Sequence, residues 1–322
     1  MRESVPNASG ATRARYGAPV RIRTVVLATT LALVAASCDR GADAPRTAVG
    51  DDAITVGSFD FPESEVIAEI YAGALEAEGF RVNRERAIGT REVVLPALQL
   101  GLIEVVPEYA GSALTFLGGT ANADPEVTNA LLASTVADRG LTALEPAAAE
   151  NRNGMVVTAE TASDLELRTI SDLAPWAGSM VFGGPPECPE RDLCLPGLKK
   201  IYGLHFESFL PLDTGGPLSA DAIQRGTVDV GMLFTTDGTL AGDDLVLLRD
   251  DRHLQPAESV TPIVRADTLE RFGGGVRSAL DAVSEELTTD DLRAMNAAVS
   301  AGAAPRAIAT TWLENHGLGT PG

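Results

Sequence analysis

Residues 53–79 read AITVGSFDFPESEVIAEIYAGALEAEG, and this stretch decides the fold class. Its first five residues form a short apolar run with β-branched members, the composition of a strand. From Pro62 onward the apolar residues Val66, Ile67, Ile70, Tyr71, Ala74 and Leu75 recur at helical spacing, and Gly79 supplies a stop. Strand followed by helix then repeats along the chain. Residues 80–82 resume an extended run, 90–100 read as helix ended by Gly101, 103–106 as strand, and 111–117 and 127–138 as helices. Further strands are expected at 155–158, 180–182, 206–210, 228–233 and 245–248, with helices at 195–202 and 220–225 between them. Residues 269–315 read as almost all helix with a break near Thr288 and Thr289. Such alternation predicts an α/β fold with mostly parallel sheets, in which ligands sit outside the carboxyl ends of the strands. That directs attention to the loops 58–63, 107–112 and 235–237.

Composition narrows the function. The 322 residues carry 25 Lys and Arg against 45 Asp and Glu, a formal net charge of -20. Residues 1–37 hold five Arg and one acid, so the rest of the chain carries -24, and its only lysines are Lys199 and Lys200. A body this acidic excludes nucleic-acid binding through clustered Lys and Arg. Arg13, Arg15, Arg21 and Arg23 precede an uncharged run, 24–37, that is too short to span a bilayer, and then comes Cys38. This is the pattern of a secretory signal, 1–37. The segment LVAASC, 33–38, resembles a bacterial lipobox, which implies a lipid on Cys38, a polar tether over 38–52, and anchoring outside the cytoplasm. A plain signal peptide with a chance cysteine is the bland alternative. Cys188 and Cys194 lie in the Pro-rich PPECPERDLC, where an exported chain favours a disulfide; as metal ligands they have only His205 nearby.

An enzyme finds little support. The three His, His205, His253 and His316, show no metal-binding spacing, and neither GxSxG nor a phosphate loop occurs. No cofactor or metal is expected.

The segments GSFDFPESEVIAEIYAGALEAEGFRV, GTREVVLPALQLGLIEVVPEYAGSAL, ISDLAP, LFTTDG and LRDDRHLQPAESVTPIVR, in this order, resemble the glycine betaine/carnitine/choline-binding family of ABC importers. The resemblance covers about 53–316. It implies a two-lobed clamshell of the type II periplasmic-binding-protein kind, each lobe a sheet flanked by helices, with two hinge crossovers. Lobe I would comprise 53–150 plus 258–322 and lobe II 151–257. The implied function is capture of a small quaternary-ammonium or zwitterionic solute by a monomer that closes on it and delivers it to permease and ATPase subunits. The alternatives are the same clamshell binding a different amine-bearing or zwitterionic solute, and a sensory lipoprotein not coupled to transport.

Quaternary ammonium groups donate no hydrogen bond and are held by aromatic faces. The family's cage of tyrosines would here place Tyr109 and Phe234, while the other two positions fall at Asn153 and near Leu212, with Phe61 a partial replacement. Arg152 and Asp213 would make a more polar site. Ser112 and Thr235 offer hydroxyls to a ligand carboxylate, or else cap local backbone. Tyr109 and Phe234 also suit core packing, and Asp237 a turn cap.

Overall fold

The computed structural model describes residues 52–213 and 215–319, which lie in one compact unit, Thr47–Gly322. Residues 1–37, expected to be a secretory signal, and Cys38 fall outside the described residues. The chain opens with β1 (Ile54–Gly57), α1 (Pro62–Ala77), β2 (Val82–Glu85), α2 (Arg91–Leu100), β3 (Val105–Tyr109), α3 (Ala110–Phe116), α4 (Pro125–Ala137) and β4 (Leu141–Ala143). It continues through β5 (Asn153–Thr158), α5 (Ala159–Asp164), β6 (Val181–Gly184), the single turn α6 (Leu195–Gly197), β7 (Ser208–Pro211), α7 (Pro217–Gln224), β8 (Val230–Phe234) and β9 (Leu245–Leu248). It ends with β10 (Val260–Arg265) and the helices α8 (Ala266–Phe272), α9 (Gly274–Glu286), α10 (Thr289–Ser300) and α11 (Pro305–Asn315).

These elements form two five-stranded sheets in the orders β2-β1-β3-β10-β4 and β7-β6-β8-β5-β9. In each sheet four strands run in the same direction, and the strand that enters after a crossover is antiparallel to both neighbours. The sheets are therefore mostly parallel, as the alternation of strands and helices predicts, with one reversed strand each. The chain leaves the first sheet after β4 and returns at β10, so only two segments join the lobes. Those segments are tied to each other, because Glu150 bridges Ser259 and Asn151 N donates to Glu258 O at 3.2 Å.

Strand β10 was not legible as a strand, since Pro262 interrupts it. Its partner in register is Pro107 of β3. Ala110 N donates to Ser259 O, so the antiparallel alternation leaves the two prolines at a pair that exchanges no hydrogen bonds. Neither missing N–H costs the β3–β10 pairing a bond; on the other side Leu144 N donates to Pro262 O and Pro262 returns none.

Each lobe has its own apolar core. In the first, Ile67, Ile70, Tyr71 and Leu75 of α1 are fully buried against β1 and the C-terminal helices α9, α10 and α11. In the second, Met155, Phe182, Val230 and Leu248 pack with the Cys188–Cys194 disulfide. The lobes also touch through α10. The 3-10 turn Gly238–Ala241 packs on α10, so closely that a Cβ on Gly238 would stand 2.5 Å from Ala297 N. Among the described residues no helix is long and apolar enough to cross a membrane.

Candidate functional site

The turn after β1 and the start of α1 place Phe61 and Glu63 at the carboxyl end of the first sheet, and β3 delivers Tyr109 to the same place. Phe61 lies between two other rings. Its centroid is 5.7 Å from that of Phe59, stacked, and 6.0 Å from that of Tyr109, tilted by 35°. The Arg91 guanidinium covers Phe59 at 5.3 Å and also forks onto Glu108 at 2.9–3.2 Å. This gives a rigid aromatic shelf backed by a buried ion pair. Burial raises the Glu108 carboxyl, and the Arg91 charge opposes that rise.

A cavity of about 940 Å³ opens beside the shelf and reaches across to the second lobe. Phe61, Tyr109 and Ser112 line it on one side, and Phe234 and the 215–217 loop on the other. Gly215 has φ +64° and runs so close over Phe234 that a Cβ there would be 2.9 Å from Cδ2. Only glycine suits both the backbone angle and the clearance.

At the heart of the site is a carboxylate. Glu63 is 6 % exposed and accepts from the Tyr109 hydroxyl at 2.6 Å, Asn151 Nδ2 at 2.8 Å and Asn296 Nδ2 at 2.6 Å. Asn296 also donates to Thr236 O at 2.7 Å, linking α1, α10 and the loop after β8. Burial, reinforced by the Glu63 charge, raises the Tyr109 hydroxyl well above its usual range, so it remains a donor.

Of the residues that the sequence suggested for ligand contact, Tyr109, Phe234, Phe61 and Ser112 meet in this cavity. Four others lie elsewhere. Arg152, Asn153 and Thr235 line a separate cleft of about 350 Å³ beside the crossovers. There Arg152 pairs with Glu150, Asn153 donates to Gln255 at 3.3 Å, and Thr235 Oγ1 accepts from Arg152 N and donates to Glu150 O. The reason is strand alternation: Asn151 faces the cavity, so its neighbour turns away. Asp213 is absorbed by the start of α7, accepting from Gly216 N, Leu218 N, Ser219 N and Ser219 Oγ at 2.7–3.2 Å. Burial would raise its carboxyl, yet the Ser219 hydroxyl and the backbone donors hold it below the usual value. Leu212 is a neighbour of the Gly183 backbone, outside the cavity lining.

Glu63, Asn151 and Asn296 were not foreseen. They lie 88 and 145 residues apart in the chain, and each looks ordinary locally. Glu63 reads as a first-turn acid of α1.

Comparison with known proteins agrees with this architecture. The family described as "Substrate binding domain of ABC-type glycine betaine transport system" matches residues 52–315. A glycine-betaine-binding protein of Pseudomonas aeruginosa is 26% identical over 283 residues, covering 83% of this chain and 89% of that one. The glycine betaine-binding protein YehZ of Escherichia coli is 26% identical over 278 residues, covering 82% and 90%. A crystal structure titled as a glycine betaine/carnitine/choline ABC transporter superposes with a TM-score of 0.78 at 23% identity, covering 82% of this chain and 99% of that one; the likeness shows the shared two-lobed fold. With a family match that spans most of its length, this chain belongs to the substrate-binding domains of ABC-type glycine betaine transport systems.

Proposed function

We propose that the chain captures a small quaternary-ammonium solute in the aromatic cavity, closes lobe II (151–257) over lobe I (53–150 plus 258–322), and hands the solute to a permease with its ATPase. A lipid on Cys38, after removal of 1–37, would hold it at the outer face of the membrane as a monomer. The observation that carries this reading is the meeting of Phe61 and Tyr109 from one lobe with Phe234 from the other around one cavity. Each ring face against a desolvated ammonium contributes about 0.5–2 kcal/mol. Contacts drawn from both lobes are what let a ligand stabilise a closed form.

Thermal melting against glycine betaine, choline, carnitine, ergothioneine, amino acids and polyamines tests it. A solute at 100 times its Kd should stabilise the fold by about 2.7 kcal/mol. The reading requires that a quaternary amine shift the melt and that Phe234→Ala abolish the shift. It fails if only solutes without a quaternary nitrogen act.

A further inference from the structure

Helix α10 belongs to lobe I and grips lobe II. Leu292 and Met295 anchor it, both buried in the core of the first lobe. On the adjoining face Arg293, Asn296 and Ala297 reach the loop after β8. Arg293 Nε donates to Thr235 O at 2.7 Å, and Asn296 Nδ2 donates to Thr236 O at 2.7 Å. Two consecutive carbonyls of the second lobe are thus held by side chains three residues apart on one helix face. Backbone meets backbone at the next step, where a Cβ on Gly238 would stand 2.5 Å from Ala297 N and 2.9 Å from Asn296 C.

The N-terminal end of the same helix holds the first crossover. Thr289 Oγ1 accepts from Glu150 N at 3.0 Å and lies 3.4 Å from Glu150 O, to which it donates. At about 1.5 Å per residue, the attachments at Thr289 and Ala297 stand about 12 Å apart along the axis. The two crossovers are tied to each other where Glu150 bridges Ser259, so by themselves they act nearly as one point. A single point leaves the lobes free to twist as well as to close. A second attachment farther along a rigid rod removes the twist and leaves rotation about one line.

The opposite side of the cavity has no such tie. Among the described residues no hydrogen bond or ion pair joins 58–63 or α3 to 215–220 across the mouth. The two sides are separated there by the cavity of about 940 Å³.

We infer that α10 is the hinge pin of this protein, a rod of lobe I about which lobe II turns. The turning line runs from Glu150 to the 235–238 loop. Closure therefore leaves the cavity wall from Thr236 to Thr239 in place and swings the 215–217 loop toward Phe61 and Tyr109. Arg293 lines the crossover cleft and not the aromatic cavity, so it acts as a positioning residue. The inference rests on the lobe closure proposed above and on no particular solute.

Pulsed electron paramagnetic resonance between spin labels at the mouth tests it. The labels go on the mature chain at Thr115→Cys of α3 and Leu218→Cys of α7, both exposed, with Cys38→Ser and the Cys188–Cys194 disulfide intact. The ligand-free distance distribution of this labelled parent should be a single narrow peak. Arg293→Met keeps the length of the side chain and removes the donor. It should broaden the peak about twofold and weaken binding of glycine betaine, used as the probe, about two- to tenfold. Arg293→Gln sets its Nε2 where the arginine Nε stands and should keep the peak narrow, although it loses the ion pair to the exposed Asp290 just as Arg293→Met does. Gly238→Ala wedges the same contact from the loop side and should broaden the peak too, which keeps the test decisive if one variant folds poorly. Ligand-free peaks as narrow in Arg293→Met and Gly238→Ala as in the parent would overturn the inference. A mouth distance that does not shorten with a solute shown by melting to bind would remove the closure reading, and the pin with it.

Discussion

Replacing Glu258 by Gln tests whether the crossover that returns to the first lobe carries stored electrostatic cost. Glu258 is 9 % exposed and accepts from Ser112 N and Ser112 Oγ at the edge of the cavity. Burial pushes its carboxyl up from 4.5 to about 7; the Ser112 donors and the Arg91 charge resist, and the Glu108 charge adds to the rise. A carboxyl whose pKa is higher in the folded state favours folding when protonated. Its contribution is full below about pH 4.5 and is lost as pH climbs through about 7. A rise of that size corresponds to about 3 kcal/mol at most. Glu258→Gln keeps an acceptor for Ser112 and removes the charge. Urea denaturation of both proteins from pH 4.5 to 8.5 should show their stabilities diverging in that window, the variant gaining up to about 3 kcal/mol at the alkaline end. The parent's other carboxylates titrate equally in the variant, apart from Glu108, which is relieved of a repelling neighbour. Parallel pH profiles would refute the argument.

Three other outcomes follow from the packing. Gly238→Ala should cost about 1–3 kcal/mol in denaturation, because its Cβ meets the Ala297 backbone, whereas the same change at Gly226, where nothing lies within 4 Å, should show only the strain of its positive φ. Breaking the Cys188–Cys194 bridge, which closes a separation of six residues, should lower stability by about 2 kcal/mol when melts are compared with and without reductant. Asp213→Ala should cost about 0.5–2 kcal/mol through loss of the α7 cap. Because the Asp213 carboxyl is depressed in the fold, that cost should be full at neutral pH and shrink as pH falls below the usual carboxylate range, read by denaturation at pH 7 and pH 3.

Much of the fold could be read from local pattern. The α1 stripe of Val66, Ile67, Ile70, Tyr71, Ala74 and Leu75 is buried as its spacing demands. What escaped was β10, masked by Pro262, and the three-residue β4; their pairing depends on the register of distant strands. The aromatic lining of the candidate cavity was equally legible, since rings are scarce in this chain, Phe61 opens α1 and Tyr109 closes β3. Its polar part was not. Asn151 lines the aromatic cavity while the next residue, Arg152, lines the cleft beside the crossovers, because side chains alternate along extended chain; Asn153 lines that cleft too. Asp213 looked like a ligand group, yet a helix start three residues on consumes it. Glu63 becomes central only once Asn151 and Asn296 are folded onto it. As a member of a substrate-binding family, the chain is a binding component and not an enzyme.

The central claim is that a quaternary-ammonium solute occupies the space between Phe61, Tyr109 and Phe234. A crystal structure of the chain grown with choline tests it most directly. The account predicts the ammonium within about 6 Å of those ring centroids, with the lobes closed on it. Solute density in the cleft beside Arg152 and Asn153, with the aromatic cavity left to water, would contradict it.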